Sequence, residues 1–248
     1  MQKNLFTKVN NALEGTIHWD KLTRTLYATD ASVYRMVPEA VAFPKTIADI
    51  QLLVRFASEH KLGLIPRTAG TSLAGQCVGE GIVVDVSRHM TSILELDEKK
   101  KQVKVQPGVI RDELNQYLAP FGLYFGPNTS TSNRCMMGGR VGNNSSGTTS
   151  IQYGVTRDKV VALKTVLSDG SQAVFKTLSE DEFKDKCIEP SLEGQIYHNL
   201  YAELSQLKVQ EEIRDGFPKP VIHRRNTGYA VDELLKSSVF GGPEKGIN

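Results

Sequence analysis

Three scarcities in this 248-residue chain each exclude a class of function. Cysteine is sparse: Cys77, Cys135 and Cys187 are odd in number, lack the paired spacing of a zinc or iron–sulfur site, and are too few for a disulfide scaffold. That usage fits a reducing compartment, and a cytoplasmic location is expected. Charge of one sign is also lacking. With 30 Lys and Arg against 28 Asp and Glu, the formal net charge of +2 sets up no field to draw nucleic acid or an anionic membrane. The one basic cluster, Lys99–Lys101, follows Asp97 and Glu98 and reads as a solvated turn. Long hydrophobic runs are missing too, so no transmembrane segment is expected. Met1 to Gly15 carries Lys3, Lys8 and Glu14 among its apolar residues and is neither signal peptide nor span. The five histidines, His18, His60, His89, His198 and His223, form no H-x-x-x-H ligand pair; surface or structural roles are expected, and no metal site. Internal repeats and low-complexity tracts are absent.

What is present is an ordinary globular composition, 40% hydrophobic and 23% charged, over a length suited to one large domain or two tightly joined lobes. Ile47, Ile50, Leu53, Val54 and Ala57 recur at helical spacing behind Thr46, with Asp49 in the first turn, predicting a helix over 46–60. Short apolar runs predict strands at Leu62–Ile65, Gly81–Val86, Ile93–Leu96 and Val103–Val105, and 111–118 reads as a helix. Val160–Leu167 and Gln172–Phe175 flank Asp169-Gly170, which predicts a hairpin closed by a tight two-residue turn. From Ser179 to Glu212 the pattern turns helical and polar, with Leu192, Ile196, Leu200, Leu204 and Leu207 on one face that packs on the flank. Phe240 to Asn248 shows no capped helix or strand, so the chain is expected to stop within a domain.

Two glycine-rich segments carry the chemistry. In Pro66–Gln76, Gly70 and Gly75 free the backbone so that successive amides can face one anion, and Thr68, Thr71 and Ser72 add hydroxyl donors. The second runs from Gly126 to Gly147; with few bulky apolar anchors it is either a flexible surface loop or a segment ordered by a ligand. Neither is a P-loop, since no Lys-Ser or Lys-Thr follows a glycine. The first runs toward a strand, not into a Rossmann helix.

In order along the chain, PRTAGTSLAGQ, IVVDVSRHM, VQPGV, GPNTSTSNRCMMGGRVGNNSSG, YGVTRDKV and VLSDG resemble the FAD-binding domain of the vanillyl-alcohol oxidase, or PCMH-type, flavoenzymes. Tyr27–Tyr34 and Arg225–Ala230 resemble signatures of the D-2-hydroxyacid dehydrogenase branch, which includes glycolate oxidase, D-lactate dehydrogenase and bacterial forms fused to an iron–sulfur domain; packing suits both segments better than direct catalysis. The resemblance implies an α+β fold: a PCMH-type FAD-binding domain of two α/β subdomains with FAD clamped between them. It would occupy residues 1–248, with a helical lead-in at 1–35, a core at 36–178, and a helical flank and truncated end at 179–248.

By position, Arg67, Thr68, Ala69, Gly70, Thr71, Ser72, Gly75 and Gln76 match the family's first cofactor loop. Pro127, Asn128, Thr129, Ser130, Gly138, Gly139, Gly142, Asn143, Asn144, Ser145 and Gly147 match the second, and Tyr153, Gly154 and Thr156 a third contact region. Backbone amides and hydroxyls suit a diphosphate because they avoid the desolvation cost of burying several ammonium groups. Arg67 either adds charge there or is a surface cation beside the loop. Cys135 and Met137 either touch the flavin ring or fill the core. Where some relatives attach FAD through a histidine this chain has Thr71 and Ser72, so noncovalent FAD is expected, with Cys77 and Cys135 leaving cysteine attachment open.

The resemblance implies a part of an enzyme that oxidises a D-2-hydroxy acid of the D-lactate, glycolate or D-2-hydroxyglutarate type to the 2-oxo acid, with oxygen, a quinone or an iron–sulfur domain or subunit as the candidate electron acceptors. The branch's later G-S-E-G-T motif and substrate domain, with its metal-binding and proton-accepting histidines, are missing, so the catalytic base is not assigned. Two other readings stand beside this one: the FAD domain of a sugar or alcohol oxidase, and a noncatalytic nucleotide-binding module.

Overall fold

The computed structural model describes residues 2–219, 221–222 and 228–247, and they divide into a unit ending at Asp158 and another beginning at Lys159. In the first unit, helix α1 (Gln2–Ala12), strand β1 (Thr16–His18) and helix α2 (Lys21–Leu26) lead to strand β2 (Ala40–Phe43). Helix α3 (Ile47–His60), strand β3 (Leu64–Arg67) and strand β4 (Ile82–Asp85) follow. The strands form one sheet in the order β1-β2-β4-β3, with β1 antiparallel to β2, and β4 parallel to both β2 and β3. The inner strands β2 and β4 are buried at every residue, the pattern of strands covered on both faces. Ala40, Ala42, Ile82 and Val84 face Phe6 and Val9 of α1 and Leu53 and Phe56 of α3. Val41, Phe43 and Val83 face the other way, toward Tyr27 and Ile65.

Helix α3 forms as predicted, with a reciprocal capping box between Thr46 and Asp49. Strand β3 lies two residues later than the sequence suggests. The helix ends on Lys61 in the left-handed region (φ 54°), Leu62 N–H returns to the Ala57 carbonyl, and Leu62 and Gly63 are spent closing the helix. The strand then runs through Pro66, tolerated because β3 is an edge strand paired only with β4. Strands β5 (Ile93–Asp97) and β6 (Gln102–Val105) form a separate hairpin whose solvated turn is Glu98–Lys101. They pack with helix α4 (Arg111–Leu118), the expected helix, around Val109, Leu114 and Leu118. Two short helices, α5 (Met137–Gly142) and α6 (Ser150–Tyr153), close the unit.

In the second unit strands β7 (Ala162–Val166) and β8 (Gln172–Lys176) form the predicted hairpin. Its turn is a different one. Only Gly170 has positive φ (82°), Gly170 N–H donates to the Leu167 carbonyl, and Leu167 pairs with Ser171. This is a three-residue loop of type I followed by a left-handed glycine, which spares Asp169 the strained φ that a two-residue turn would impose. Helices α7 (Glu180–Cys187), α8 (Leu192–Leu204) and α9 (Leu207–Gly216) form in the region predicted helical, and a short α10 (Val231–Leu234) follows. The expected leucine face stops at Leu204, because the chain breaks at Ser205-Gln206 and leaves Leu207 74% exposed on the next helix. Tyr197 joins Leu178, Phe183, Leu204, Leu235, Phe240 and Ile247 in this unit's own core. The terminal segment, which shows no closure in sequence, folds back so that Leu178 and Ile247 exchange both backbone hydrogen bonds.

One carboxylate ties the start of the first unit to its sheet. Asp49 is 3% exposed and accepts from the backbone N–H groups of Glu14 (2.8 Å), Gly15 (3.0 Å) and Lys45 (2.8 Å). Burial alone would raise its pKa, but these donors outweigh it and hold the carboxyl below its ordinary value. A depressed folded-state pKa gives stability that is present above the unfolded value of about 3.9 and lost as pH falls through the folded value. Asp49→Asn is therefore expected to cost about 3 kcal/mol at pH 7, because charge-accepted hydrogen bonds are lost and an amide N–H₂ faces donors. Denaturant melts at pH 7 and at pH 3 check this: the deficit should shrink at the lower pH, and an equal deficit at both would remove the charge from the explanation.

Candidate functional site

The first glycine-rich loop leaves the carboxyl end of β3. Gly70 (φ 66°) and Gly75 (φ 70°) both take the left-handed conformation. Among the described residues, the backbone N–H groups of Ala69, Gly70, Thr71 and Ser72 meet no protein acceptor. The loop is held by other atoms. Ser72 Oγ accepts from Ala74 N (3.2 Å) and Gln76 N (3.4 Å) and donates to Gln76 Oε1 (2.8 Å). Arg67 donates through Nη1 to the Thr29 carbonyl (2.8 Å) and lies over the Tyr27 ring (5.1 Å), so its guanidinium braces the loop from behind.

Tyr27–Tyr34 supplies that brace. Ala31 N–H donates to the Gly70 carbonyl (3.1 Å), the Tyr34 ring fills the space beside Gly75, and the Cys77 thiol contacts Asp30 at 3.5 Å. Tyr27 donates its phenol to Asp85 of β4 (2.6 Å); burial first, then this bond, push it up to about 12, so it remains a donor at any ordinary pH. The segment packs, as its sequence suggests; of the companion signature, residues 225–227 lie outside the described residues.

The second segment is less bare than its composition implies. Its anchors are Arg140, 1% exposed, Cys135 and Met137. Met137 packs with Val109, Leu114 and Leu118. Arg140 reaches back across its own loop, donating to the Pro127 carbonyl (2.9 Å), Thr129 Oγ1 (3.0 Å) and Cys135 Sγ (3.2 Å), over the Phe125 ring (5.4 Å). Nothing in the sequence singles out Arg140, because its burial depends on partners five to thirteen residues away. Gly147 presses on the Asn128 carbonyl, where a Cβ would leave no room. Asn144 takes positive φ (47°) and accepts from Arg157 N (2.9 Å). Thr156, fully buried, donates to the Ser145 carbonyl through its hydroxyl (2.6 Å) and its amide (3.1 Å). Tyr153 packs on Gly126 and meets Tyr124 edge-on (5.4 Å), while Gly154 (φ 72°) ends α6.

The two loops meet at Thr68 and Gly139, where a Cβ on the glycine would stand 2.6 Å from Thr68 Oγ1. Four amides without protein acceptors, with the hydroxyls of Thr68 and Thr71 beside them, make a donor set that suits a diphosphate. The Asn128 side-chain oxygen, buried and without a protein partner, adds an acceptor. Gly142, by contrast, faces open space. Among the described residues no group of His, Cys, Asp and Glu could hold a metal ion, and no helix is long and apolar enough to cross a membrane.

An α+β frame that brings two glycine-rich loops together, the first with four amides free of protein acceptors, defines a class, the nucleotide-cofactor domains. The chain belongs to the FAD binding domain family, whose model matches residues 38–176, more than half its length, and FAD is therefore its cofactor. It is 38% identical over 227 residues to a D-2-hydroxyglutarate dehydrogenase of Escherichia coli (strain K12), covering 90% of this chain and 22% of that protein. It is 38% identical over 149 residues to the glycolate oxidase subunit GlcD of Bacillus subtilis (strain 168), covering 59% of this chain and 32% of that one. Among solved structures, an alkyldihydroxyacetonephosphate synthase superposes with a TM-score of 0.63 at 20% identity, over 70% of this chain and 35% of its own; this likeness concerns the fold. The chain thus spans about a fifth to a third of these relatives' length.

Gly147 gives a test of the packing. Gly147→Ala must displace the backbone of Asn128, and such overpacking is expected to cost about 1–3 kcal/mol. Thermal melts of the two proteins measure it; an unchanged Tm would mean that the Gly147–Asn128 contact is not part of the folded loop.

Proposed function

We propose that this chain is the flavin-holding part of an enzyme that oxidises a D-2-hydroxy acid, of the D-2-hydroxyglutarate, D-lactate or glycolate type, to the 2-oxo acid. The observation that carries this reading is the 38% identity sustained over 227 residues with a D-2-hydroxyglutarate dehydrogenase. When bound, FAD supplies the acceptor for a hydride from the substrate carbon. The residues of this chain bind and orient. Ala69 to Ser72 offer amides to the diphosphate, with hydroxyls from Thr68 and Thr71. Gly142 leaves room for the ligand beside the backbone of the second loop, while Gly138 and Gly139 are held by packing on Pro107 and Thr68, and Asn128 to Ser130 line the loop's other limb. Asn143 to Ser145, Tyr153, Gly154 and Thr156 complete the contact region. Arg67, committed to Thr29 and Tyr27, sets the loop's shape more than its charge.

Attachment is noncovalent in this reading. Cys77 is buried, and burial pushes its thiol up, away from the nucleophilic thiolate; Cys135 is buried under Arg140. The base that takes the hydroxyl proton and the electron acceptor, for which an iron–sulfur domain or subunit is one candidate beside oxygen and a quinone, lie outside the residues that hold the flavin in this reading. Three free cysteines fit a cytoplasmic setting.

Two measurements test the reading. Incubated with FAD and desalted, the chain should keep flavin absorption that passes to the supernatant on denaturation; flavin that stays with the precipitate would overturn noncovalent binding, and a complete enzyme that no D-2-hydroxy acid reduces would overturn the substrate class. Gly142→Ala, which meets nothing within 4 Å, should leave Tm unchanged or slightly raised yet weaken FAD binding. Equal affinity in that variant would move the ligand away from the end of α5.

A further inference from the structure

A guanidinium is charged at every accessible pH, and burying one costs several kcal/mol unless a carboxylate or a full set of acceptors compensates it. Arg140 is 1% exposed and makes no ion pair among the described residues, although its charge reaches the Asp112 carboxylate, which Arg111 pairs directly. Its acceptors are all neutral, the Pro127 carbonyl, Thr129 Oγ1 and Cys135 Sγ, and its Nε has no partner. Filling the space would need only an apolar side chain of similar length. What a guanidinium adds is a planar fork that fixes several points at once, a geometry that lysine cannot copy. The points it fixes are both limbs of one turn: Pro127 and Thr129 on the incoming limb, Cys135 on the outgoing limb. The neighbouring residue, Gly139, faces Thr68 of the first loop.

We propose that Arg140 is a positioning residue for the cofactor: its buried guanidinium holds the 127–135 turn in the shape that receives FAD, without touching the ligand. The proposal rests on the reading that the two loops bind FAD. It separates Arg140 from a core-filling residue, because a filler would alter stability alone, whereas a positioning residue alters affinity in a chain that stays folded.

The test uses the purified chain, with FAD affinity read from flavin fluorescence, Tm from thermal melting, and hydrogen exchange mapped on peptides. Arg140→Met keeps most of the volume and loses the fork. Its Kd for FAD should rise about tenfold or more, the scale of one lost hydrogen bond to a charged group. Exchange should quicken over 126–136 while the β2–β4 sheet keeps its protection. Arg140→Lys, retaining the charge and part of the bonding, should recover part of the affinity. FAD binding by Arg140→Met at wild-type affinity overturns the proposal and leaves the FAD reading intact. Should that variant fail to fold, Arg140→Lys decides: weakened FAD binding with a protected sheet supports the fork, and wild-type affinity overturns it. If the wild-type chain itself binds no FAD, the reading of the loops falls and this proposal with it.

Discussion

A loop that offers its backbone N–H groups to a ligand cannot use those same groups to hold itself together. Amides left without protein acceptors are tolerable where water or a ligand can reach them, but they give up the bonds that order most backbone. Everything around the first loop answers this constraint. Arg67 and Ser72 hold it through side chains, Ala31 holds it through the Gly70 carbonyl, and the Tyr34 ring supports Gly75. Carbonyls and side chains carry the structural load, and the amides of Ala69 to Ser72 stay available. The second loop bonds several of its own amides, those of Ser132, Arg134 and Cys135 among them, and adds Arg140, whose fork takes one carbonyl, one hydroxyl and one thiol.

The brace works only because it is anchored in something stiff. Tyr27 ends on Asp85, at the carboxyl end of β4, one of the two strands buried along their whole length. β3, which launches the first loop, is registered against β4 from Leu64 through Arg67. The loop's root and its brace therefore share one strand, and a shift in either would have to move the centre of the sheet. Asp49 extends the arrangement along the same carboxyl edge of the sheet to β1, fixing the Glu14-Gly15 turn to the capped start of α3.

What was legible in the sequence is what is encoded locally. The capping box of α3 needs only Thr46 and Asp49, three residues apart, and the buried strand β4 announces itself through the apolar run Ile82–Val84. The glycine loops were visible because their composition is unusual, and the order of their motifs named the family. Strands β1 and β2 are not legible: β1 has three residues, and β2 is an Ala-Val-Ala-Phe run whose alanines carry little strand propensity. The hairpin turn was mistaken because Asp-Gly serves two loop lengths, and the choice depends on strand register. Arg140 and Asp49 could not be recognised as buried, since a charged residue gives no local sign of burial, and the partners that compensate each lie up to 35 residues away.

The glycines show why composition alone overstates a binding site. Gly147 is small because the Asn128 carbonyl lies against it, and Gly126 because the Tyr153 ring does. Those two are dictated by the protein's own packing and would be required with no ligand at all. Gly142 has nothing within 4 Å and an ordinary φ, so neither sterics nor backbone conformation in the protein asks for a glycine there. A residue that pays conformational entropy in a helix without an internal reason points outward. Of all the glycines in the second loop, the one that does least for the fold therefore says most about where a ligand approaches.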